Sequence, residues 1–258
     1  MDSRKAVLIT GGTNGIGKAI AIKLVKLGNK VTITGQTKEK CSLVAEQIQI
    51  TTGLCVDWIA SDLSTLEGIR STVHQFKTRN DSLHVLINNA GGAIPGKQAR
   101  FTADGFELTF GTNHLGHFLL TNLLLDDLKR SSPARVITVS SQLHIPGYGG
   151  GPPPDFDYDN LKGEKYYKTR VFYKNSKLAN RWFAYELQRR LAGTGVTSNA
   201  VCPGFVPEAI ADRRKSPVER WMYGQVLRRM PFARSLEQAS ASYLIANRMA
   251  AITFRGAR

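Results

Sequence analysis

Residues 10–17 read TGGTNGIG, and an apolar stretch with helical periodicity, KAIAIKLVKLG (18–28), follows at once. The run before the glycines, AVLIT (6–10), is rich in residues that favour β-strands. Glycines at the spacing G-x3-G-x-G permit a tight turn, let backbone N–H groups approach a phosphate, and let the helix pack close to the strand. Such a turn can also cap a helix and bind nothing. Its position between the first strand and the first helix favours a dinucleotide site.

Outward from this turn, short apolar runs alternate with longer stretches of helical periodicity. The alternation predicts βαβ units, right-handed crossovers and a mostly parallel sheet with helices on both faces, which is the doubly wound α/β class. The pattern contains no internal repeat and no obvious linker, so we expect one domain over residues 1–258. The expected strands are 6–10, 30–34, 54–60, 83–88, 134–140 and 196–201, and the expected helices are 16–27, 38–50, 65–79, 104–129 and 172–191.

Two segments need separate interpretation. The stretch 146–168, PGYGGGPPPDFDYDNLKGEKYYK, is rich in glycine and proline and is either a linker or a surface insertion. The helical pattern resumes directly after it, which favours an insertion beside the site. Segment 205–235 is expected to form a lid, whose large apolar residues either line a substrate pocket or pack in the core. These residues are Trp221, Met222, Tyr223 and Phe232.

Composition narrows the classes of function. The chain of 258 residues carries 35 Lys+Arg against 20 Asp+Glu, a net charge of +15, and this balance favours phosphate-bearing partners. Nucleic acid is one such partner, but the basic residues are dispersed and no zinc-finger, leucine-zipper or RNA-binding pattern occurs. A phosphate-rich cofactor explains the charge more simply.

Compartment and metal content follow from simple patterns. No apolar run is long enough to span a bilayer, and the first residues do not form a signal peptide. Three scattered cysteines indicate reduced thiols. These patterns predict a cytoplasmic protein. His, Cys and acidic residues show no metal-ligand spacing, so no metal site is expected.

The end of the second strand bears on the choice of cofactor. An NAD site usually has an Asp or Glu about 20 residues beyond the glycines, which binds the adenine ribose hydroxyls. Here no acidic residue occurs from Ser3 to Lys38, and Gln36, Thr37 and Lys38 stand at the strand end. A carboxylate would repel a ribose 2′-phosphate, whereas these side chains would not. The sequence therefore favours NADP(H).

Tyr173 and Lys177 lie in YKNSKLAN (173–180), near the start of a predicted helix. A spacing of four places the phenol and the ammonium on one helical face. On its own the pair is equally a solvated helix face. A phenol is a weak acid, and an ammonium one turn away stabilises its anion, so the pair suits proton transfer to and from a substrate oxygen.

With these pieces in order, the chain resembles the short-chain dehydrogenase/reductase family over nearly its whole length. The motifs NSKLAN and NHLGHF, and the spacing of 32 positions from Ser141 to Tyr173, are most similar to the retinol dehydrogenase and protochlorophyllide reductase branch. Seven motifs in the family's order are far more specific than any single one. They are TGGTNGIG (10–17), SDL (61–63), NNAGG (88–92), TNHLGHF (112–118), VSS (139–141), YKNSK (173–177) and CPG (202–204).

The resemblance implies a Rossmann fold and hydride transfer between NADP(H) and a carbonyl or alcohol substrate. It makes Tyr173 the acid/base and Lys177 the residue that tunes the phenol and holds the nicotinamide ribose. It also makes Ser141, with Ser140 as the alternative, the partner of the substrate oxygen, and Asn113 the holder of a water that replaces the proton. Together with the second strand, it gives as cofactor contacts Gly11, Thr13, Asn14, Gly15, Ile16, Gly17, Gln36, Thr37, Lys38, Asp62, Leu63, Asn89, Ala90, Gly91, Tyr173, Lys177, Pro203, Gly204 and Val206.

The sequence departs from the family pattern at two places. Glu208 stands where the family commonly has a Thr or Ser that touches the nicotinamide carboxamide, so modified cofactor binding is expected. The sequence also stops soon after LEQASASYLIANRM, so the last strand of the sheet is expected to be short or missing. Helix 104–128 is apolar on more than one face, which fits either burial on two sides within one domain or, as the resemblance implies, packing against its copy in a homodimer. The membrane anchor of many animal retinol dehydrogenases is not in this sequence, so a retinoid substrate is not carried over.

Three functions remain open at this point. The leading one is NADPH-dependent reduction of an apolar ketone or aldehyde. Reduction of a carbon–carbon double bond could use the same Tyr and Lys. A non-catalytic NADP(H)-sensing protein is the third, although all four expected catalytic residues are present.

Overall fold

The structure, a computed structural model, describes residues 4–145, 156–212 and 216–248, with side chains described up to Leu244 in the last range. Six strands pair in parallel and form one sheet: β1 (Ala6–Ile9), β2 (Lys30–Gly35), β3 (Asp57–Ala60), β4 (Val85–Asn88), β5 (Ala134–Val139) and β6 (Val196–Val201). Their order is β3-β2-β1-β4-β5-β6. The predicted doubly wound fold is therefore confirmed, with the change of winding direction between β1 and β4.

Helices cover both faces of the sheet. A π-helical turn, Gly111–Leu115, joins two of them, and a second one, Met222–Val226, lies in the lid. Within the described ranges, no helix has the length and apolar character needed to cross a bilayer. The helices are α1 (Gly15–Lys26), α2 (Lys38–Thr52), α3 (Leu66–Arg79), α4 (Leu108–Phe110), α5 (Gly116–Leu123), α6 (Leu125–Arg130), α7 (Thr169–Arg190), α8 (Pro207–Ala211), α9 (Pro217–Trp221) and α10 (Leu236–Arg248).

The core has two layers, one on each face of the sheet. Successive side chains of a strand point to opposite faces, so Val7 and Ile9 of β1 join one cluster and Leu8 joins the other. The first cluster includes buried residues of α1, α2 and α10, and the second includes buried residues of α3, α5 and α7. Burial on both faces explains why these strands read as continuous apolar runs.

The expected helix 104–129 is broken in the structure. Its first part is α4, where the Glu107 carboxylate accepts a hydrogen bond from the Phe110 amide at 2.6 Å. The chain then passes through the π-helical turn into α5 and, after Leu124, into α6. At this break the helix backbone lies very close to the loop after β3, since a Cβ on Gly116 would lie 2.3 Å from the Leu63 carbonyl oxygen. The expected strand 54–60 is also shorter, because pairing with β2 begins only at Asp57.

The insertion is described from residue 156 onward, and residues 146–155 lie outside the described ranges. The described part folds back on the helices beside it. The Tyr167 hydroxyl donates to the Glu107 carboxylate at 3.1 Å. Directly after the insertion, the hydroxyl of Thr169, the first residue of α7, donates to the Gly96 carbonyl at 2.9 Å. The place expected for a short last strand, residues 249–258, also lies outside the described ranges.

Candidate active site

The glycine-rich turn lies at the carboxyl end of β1, where the winding direction of the sheet changes. Gly11 and Gly15 have φ angles of 64° and 47°, which side chains rarely adopt. The turn is held to the end of β4: the Asn89 side-chain amide donates to the carbonyls of Thr10 at 2.8 Å and Gly11 at 3.2 Å. The Thr10 hydroxyl accepts from the backbone amides of Asn89 and Ala90. These contacts fix the two loops that border the crevice.

A cleft of about 560 Å³ runs along the carboxyl ends of β1, β2 and β4. Most of the predicted cofactor contacts in the first half of the chain lie in its wall. Six expected contacts do not line it, whereas Lys40, which was not expected, does. The six are Gly15, Ile16, Gly17, Thr37, Lys38 and Asn89, of which Ile16 and Asn89 line the second cleft described below. The lining residues are Gly11, Thr13, Asn14, Thr34, Gly35, Gln36, Lys40, Ser61, Asp62, Leu63, Ala90, Gly91, Gly92, Ala93, Ile94, Thr112, Asn113 and Asp212.

The residue at which α2 begins explains why Lys40, and not Lys38, lines the cleft. Thr37 is the residue that caps this helix, and its hydroxyl accepts a hydrogen bond from the Lys40 amide at 3.3 Å. A cap at Thr37 makes Lys38 the first helical residue and places it outside the cleft wall, whereas Lys40 lies in that wall. The Thr37 side chain is thus used for capping. A threonine directly before a helical period is a capping signal that the sequence already carried.

A second cleft, of about 230 Å³, shares Gly91 and Gly92 with the first. It brings together the predicted residues Ser141, Tyr173, Lys177, Pro203, Gly204 and Val206. Its remaining wall comes from Ile16, Asn89, Val139, Ser140, Gln142, Leu143, Phe205, Ala209 and Ile210. Residues distant in the sequence therefore converge at the carboxyl edge of β4, β5 and β6.

Tyr173 and Lys177 lie on one face of α7, as their spacing predicts. The Lys177 ammonium is 5.7 Å from the centre of the Tyr173 ring. Lys177 is buried, and its Nζ donates to the Val139 carbonyl at 3.1 Å. A buried ammonium beside a half-buried phenol is an arrangement that favours the phenolate form during proton transfer.

The two serines at the end of β5 have different partners. Ser140 is buried and donates its hydroxyl to the Lys177 carbonyl at 2.7 Å, a contact that fixes α7 against β5. Ser141 accepts from the Leu143 amide at 3.2 Å and lines the second cleft. His144 does not line it: its Nδ1 contacts the Ser141 carbonyl, and its Nε2 accepts from Arg181 at 2.8 Å.

Asn113 lies in the π-helical turn and is fully buried. Its side-chain amide donates to the Gly92 carbonyl at 3.1 Å and to the Ser176 hydroxyl at 3.0 Å, and its Oδ1 accepts from the Gly92 amide at 2.9 Å. A Cβ on Gly91 would lie 2.1 Å from that oxygen. Asn113 therefore clamps the wall shared by the two clefts to α7.

The sequence interpretation gave no role to His117, which links this clamp to the glycine-rich turn. Its Nδ1 lies 3.0 Å from the Asn113 carbonyl, and its Nε2 lies 2.8 Å from the Thr10 hydroxyl. Because the carbonyl can only accept, we assign the ring proton to Nδ1. Complete burial lowers the pKa of His117 to about 4, so the ring is neutral at pH 7. The only sequence signal was its position four residues after Asn113.

Two acidic residues of the lid have partners that the sequence did not predict. The Glu208 carboxylate accepts from the Leu236 amide at 3.1 Å, at the start of α10, and it lies outside the walls of both clefts. The Glu208 side chain thus caps α10, and its expected effect on cofactor binding stays a prediction. The Asp212 carboxylate accepts from the Gly15 amide at 3.3 Å and lines the first cleft.

The two interpretations of the large apolar lid residues are both wrong for Trp221, Met222 and Phe232. These three side chains are exposed, and neither they nor Tyr223 line either cleft. The apolar wall that the lid gives to the second cleft comes instead from its first residues, Phe205, Val206, Ala209 and Ile210. In the described part of the chain, no group of three or more His, Cys, Asp or Glu residues is arranged to hold a metal ion.

Comparisons with known proteins place the chain among dehydrogenases. The profile of the short chain dehydrogenase family matches residues 5–152. The chain is 44% identical to human retinol dehydrogenase 11 over 220 residues, covering 85% of this chain and 66% of that protein. It is also 44% identical to human polyprenol dehydrogenase over 209 residues, covering 78% of this chain and 61% of that protein. The chain thus spans less than two thirds of the length of these relatives.

Solved structures share the fold of this chain. The Pseudomonas aeruginosa RhlG/NADP active-site complex is 25% identical, with a TM-score of 0.70 over 92% of this chain and 86% of that one. A Caenorhabditis elegans short-chain dehydrogenase/reductase of unknown function, solved with cofactor, is 24% identical, with a TM-score of 0.75 over 96% of this chain and 89% of that one. The predicted resemblance to the retinol dehydrogenase branch is confirmed by the relatives. With more than half of its length matched by the family profile, the chain belongs to the short-chain dehydrogenase family.

Proposed function

We propose that the protein transfers hydride between NADP(H) and the carbonyl or alcohol group of an apolar substrate, with Tyr173 as the acid/base. One observation carries the proposal: Tyr173, Lys177 and Ser141 line a single cleft that shares its glycine wall with the long cleft at the glycine-rich turn. The cofactor would supply the hydride chemistry, and the chain would supply position and protons.

The long cleft suits a dinucleotide with a 2′-phosphate. At the end of β2 it is lined by the Gln36 amide and the Lys40 ammonium, and Lys40 is the one Lys or Arg in its described wall. Its two acids have partners of their own, since Asp62 accepts from Ser64 and Asp212 accepts from Gly15. The cofactor named in the solved RhlG complex, NADP, supports the same choice.

The chain's own residues have distinct parts in the reaction. In reduction, Tyr173 would donate its hydroxyl proton to the substrate oxygen, and the buried Lys177 ammonium would stabilise the resulting phenolate. Ser141 would hydrogen-bond the same substrate oxygen. Asn113 is a positioning residue, because it ties Gly92 to Ser176 on the turn of α7 that carries Tyr173. Its two amide protons are both donated to protein acceptors, so a proton-relay water would have to use other groups nearby.

The names of the relatives and the character of the cleft support an apolar alcohol or aldehyde as substrate. The relatives are named for retinol and polyprenol. The second cleft presents Val139, Leu143, Phe205, Val206 and Ile210 beside its polar end. Such a wall would bind a hydrocarbon chain and leave the oxygen next to Tyr173 and Ser141. Product analysis would distinguish this reaction from reduction of a carbon–carbon double bond.

The decisive experiment compares Tyr173→Phe with Tyr185→Phe, which removes an exposed phenol from the same helix. Both variants should bind NADPH as the unmodified protein does, measured by calorimetry. Turnover of apolar aldehydes should fall by about a thousandfold or more in Tyr173→Phe alone. Turnover retained by Tyr173→Phe would refute the acid/base role. Absence of NADPH binding in the unmodified protein would refute the proposal as a whole.

We also infer a homodimer that forms through α5 and α7. Phe118, Trp182 and Tyr185 are exposed on these helices, and Phe118 contacts Phe183 with ring centres 5.4 Å apart. Sedimentation equilibrium of the protein and of Phe118→Glu would test it, because a buried carboxylate would disfavour the dimer.

A cytoplasmic location remains a prediction; Cys41, Cys55 and Cys202 are free thiols in the structure.

A further inference from the structure

The lid contains a helical segment whose outer face is apolar although it is exposed. Residues 217–229 form one continuous helical segment, composed of α9, the second π-helical turn and a 3₁₀ turn, Leu227–Arg229. The apolar residues of this face recur at helical spacing, and we name the set the apolar lid face. Its members, with their exposed fractions, are Val218 (74%), Trp221 (63%), Met222 (38%) and Val226 (44%).

The opposite side of the same segment already has a partner. Tyr223, Gly224 and Leu227 are half-buried, and a Cβ on Gly224 would lie 3.9 Å from the Ala211 side chain of α8. The apolar stripe of a helix in a globular protein normally faces the core. Here the segment packs on α8 through one side and presents a second, larger apolar side to the outside.

Exposed positive charges lie on the same segment and shortly after it. Arg220, Arg228, Arg229 and Arg234 are exposed, whereas the single acid of the segment, Glu219, is half-buried. An exposed apolar patch on a basic segment is complementary to a surface that combines hydrocarbon with negative charge. The chain as a whole, at a net charge of +15, would be attracted to the same surface.

A further exposed apolar side chain of the lid contacts the wall of the catalytic cleft. Phe232 is 65% exposed, and its ring centre lies 5.7 Å from that of Phe205. Phe205 lines the cleft that contains Tyr173 and Lys177. An apolar molecule leaving a lipid phase at the lid would therefore meet aromatic surface before it reached the polar end of the cleft.

We propose that the apolar lid face docks on an anionic phospholipid surface, with Trp221 and its neighbours in the interfacial region and the four arginines at the headgroups. The docked segment lies on the membrane and does not span it. The proposal does not depend on catalysis, since the surface is defined by its exposed side chains and their charges alone.

The test is flotation of the full chain with vesicles, without cofactor or substrate. We expect binding to phosphatidylcholine vesicles that contain phosphatidylserine, weaker binding to phosphatidylcholine alone, and loss of binding at high salt. The variant Val218→Ser/Trp221→Ser/Met222→Ser should reduce partitioning by about tenfold or more. Arg228→Gln/Arg229→Gln should reduce partitioning to the anionic vesicles by a similar factor.

Two matched controls separate docking from general effects. Leu27→Ser/Leu43→Ser/Ile50→Ser removes three exposed apolar side chains, one directly after α1 and two on α2, and Lys26→Gln/Arg70→Gln removes two exposed charges from α1 and α3. Both controls should partition as the unmodified protein does. NADPH binding and circular dichroism check that each variant is folded.

Three results would overturn the proposal. The first is absence of flotation by the unmodified protein, and the second is equal loss in the lid variants and their controls. The third is a lid variant that floats normally but sediments as a smaller species, because the face would then bind a second copy of the chain. Failure here leaves Tyr173-dependent turnover untouched, so it is distinguishable from failure of the proposed function.

Discussion

The Asp212 carboxylate accepts a hydrogen bond from the Gly15 amide at 3.3 Å, so a side chain at the end of α8 lies on the first residue of α1. Backbone amides at a helix N-terminus favour negative charge, and in this structure the lid supplies that charge. The glycine-rich turn is also where the pyrophosphate of the proposed cofactor would lie. Asp212 and the cofactor would therefore compete for the same amides.

Replacement of Asp212 by Asn should strengthen NADPH binding by about fivefold, because one negative charge next to the pyrophosphate site is removed. Calorimetric titration measures the change, and it should shrink as the salt concentration rises. Asp81→Asn, which removes an exposed carboxylate elsewhere, should leave the affinity as it is. Weaker binding in Asp212→Asn would mean that the carboxylate assists the cofactor instead of competing with it.

Lys40 and Lys38 should differ in their effect on cofactor choice. Lys40 lines the cleft at the end of β2 and Lys38 does not. If Lys40 pairs with the 2′-phosphate, Lys40→Ala should weaken NADPH binding by about tenfold and leave NADH binding nearly unchanged. Lys38→Ala, the matched control, should bind both cofactors as the unmodified protein does. Equal effects of the two variants would remove the basis for placing the phosphate at Lys40.

Glu208 should contribute to stability more than to cofactor binding. Its carboxylate accepts from the Leu236 amide at the start of α10, in the manner of a helix cap. Glu208→Ala should therefore lower the free energy of unfolding by about 1 kcal/mol, measured by chemical denaturation. Its affinity for NADPH should stay within about twofold of the original. A large loss of affinity at unchanged stability would instead indicate direct contact with the cofactor.

His117 should make the protein sensitive to mild acid. Burial lowers its pKa from 6.5 to about 4 in the folded chain, so as the pH falls below 6.5 the unfolded chain binds a proton that the folded chain does not. The resulting loss of stability reaches about 3 kcal/mol by pH 4. His117→Gln should flatten this part of the stability curve by that amount.

The measurement is chemical denaturation at a series of pH values between pH 7 and pH 4. His74→Gln, at an exposed position of α3, is the matched control, and its curve should follow that of the unmodified protein. If His117→Gln follows it as well, the imidazole is not the source of the acid sensitivity.

Much of the fold could be predicted because its signals are local. Each strand of the sheet is a short apolar or β-branched run, and all six were located to within about three residues. The motifs of the site could be placed for the same reason: in a parallel sheet, the loops that follow the strands meet at one edge. Tyr173 and Lys177 share a helical face through spacing alone.

The rest depended on contacts that a linear pattern does not contain. Whether Lys38 or Lys40 faces the cleft depends on which residue caps α2, because each residue rotates the helix by about 100°. The partners of Asp212 and Glu208 lie 197 and 28 residues away. The apolar lid residues were expected in the core or in a substrate pocket because large apolar side chains are usually buried. An exposed apolar face of a helix has the same periodicity in the sequence as a buried one.

The π-helical turn Gly111–Leu115 has a consequence for how this site can change over time. A π-helical turn holds one residue more than an α-helical turn, so the helical positions before and after it are out of step by about 100°. Asn113 lies within this wider turn, and from there its side chain hydrogen-bonds to Gly92 and Ser176. Deletion of one residue there would restore regular helix and at the same time rotate the clamp away from the cleft. Insertions and deletions should therefore be tolerated in the exposed loops well before they are tolerated in this single turn.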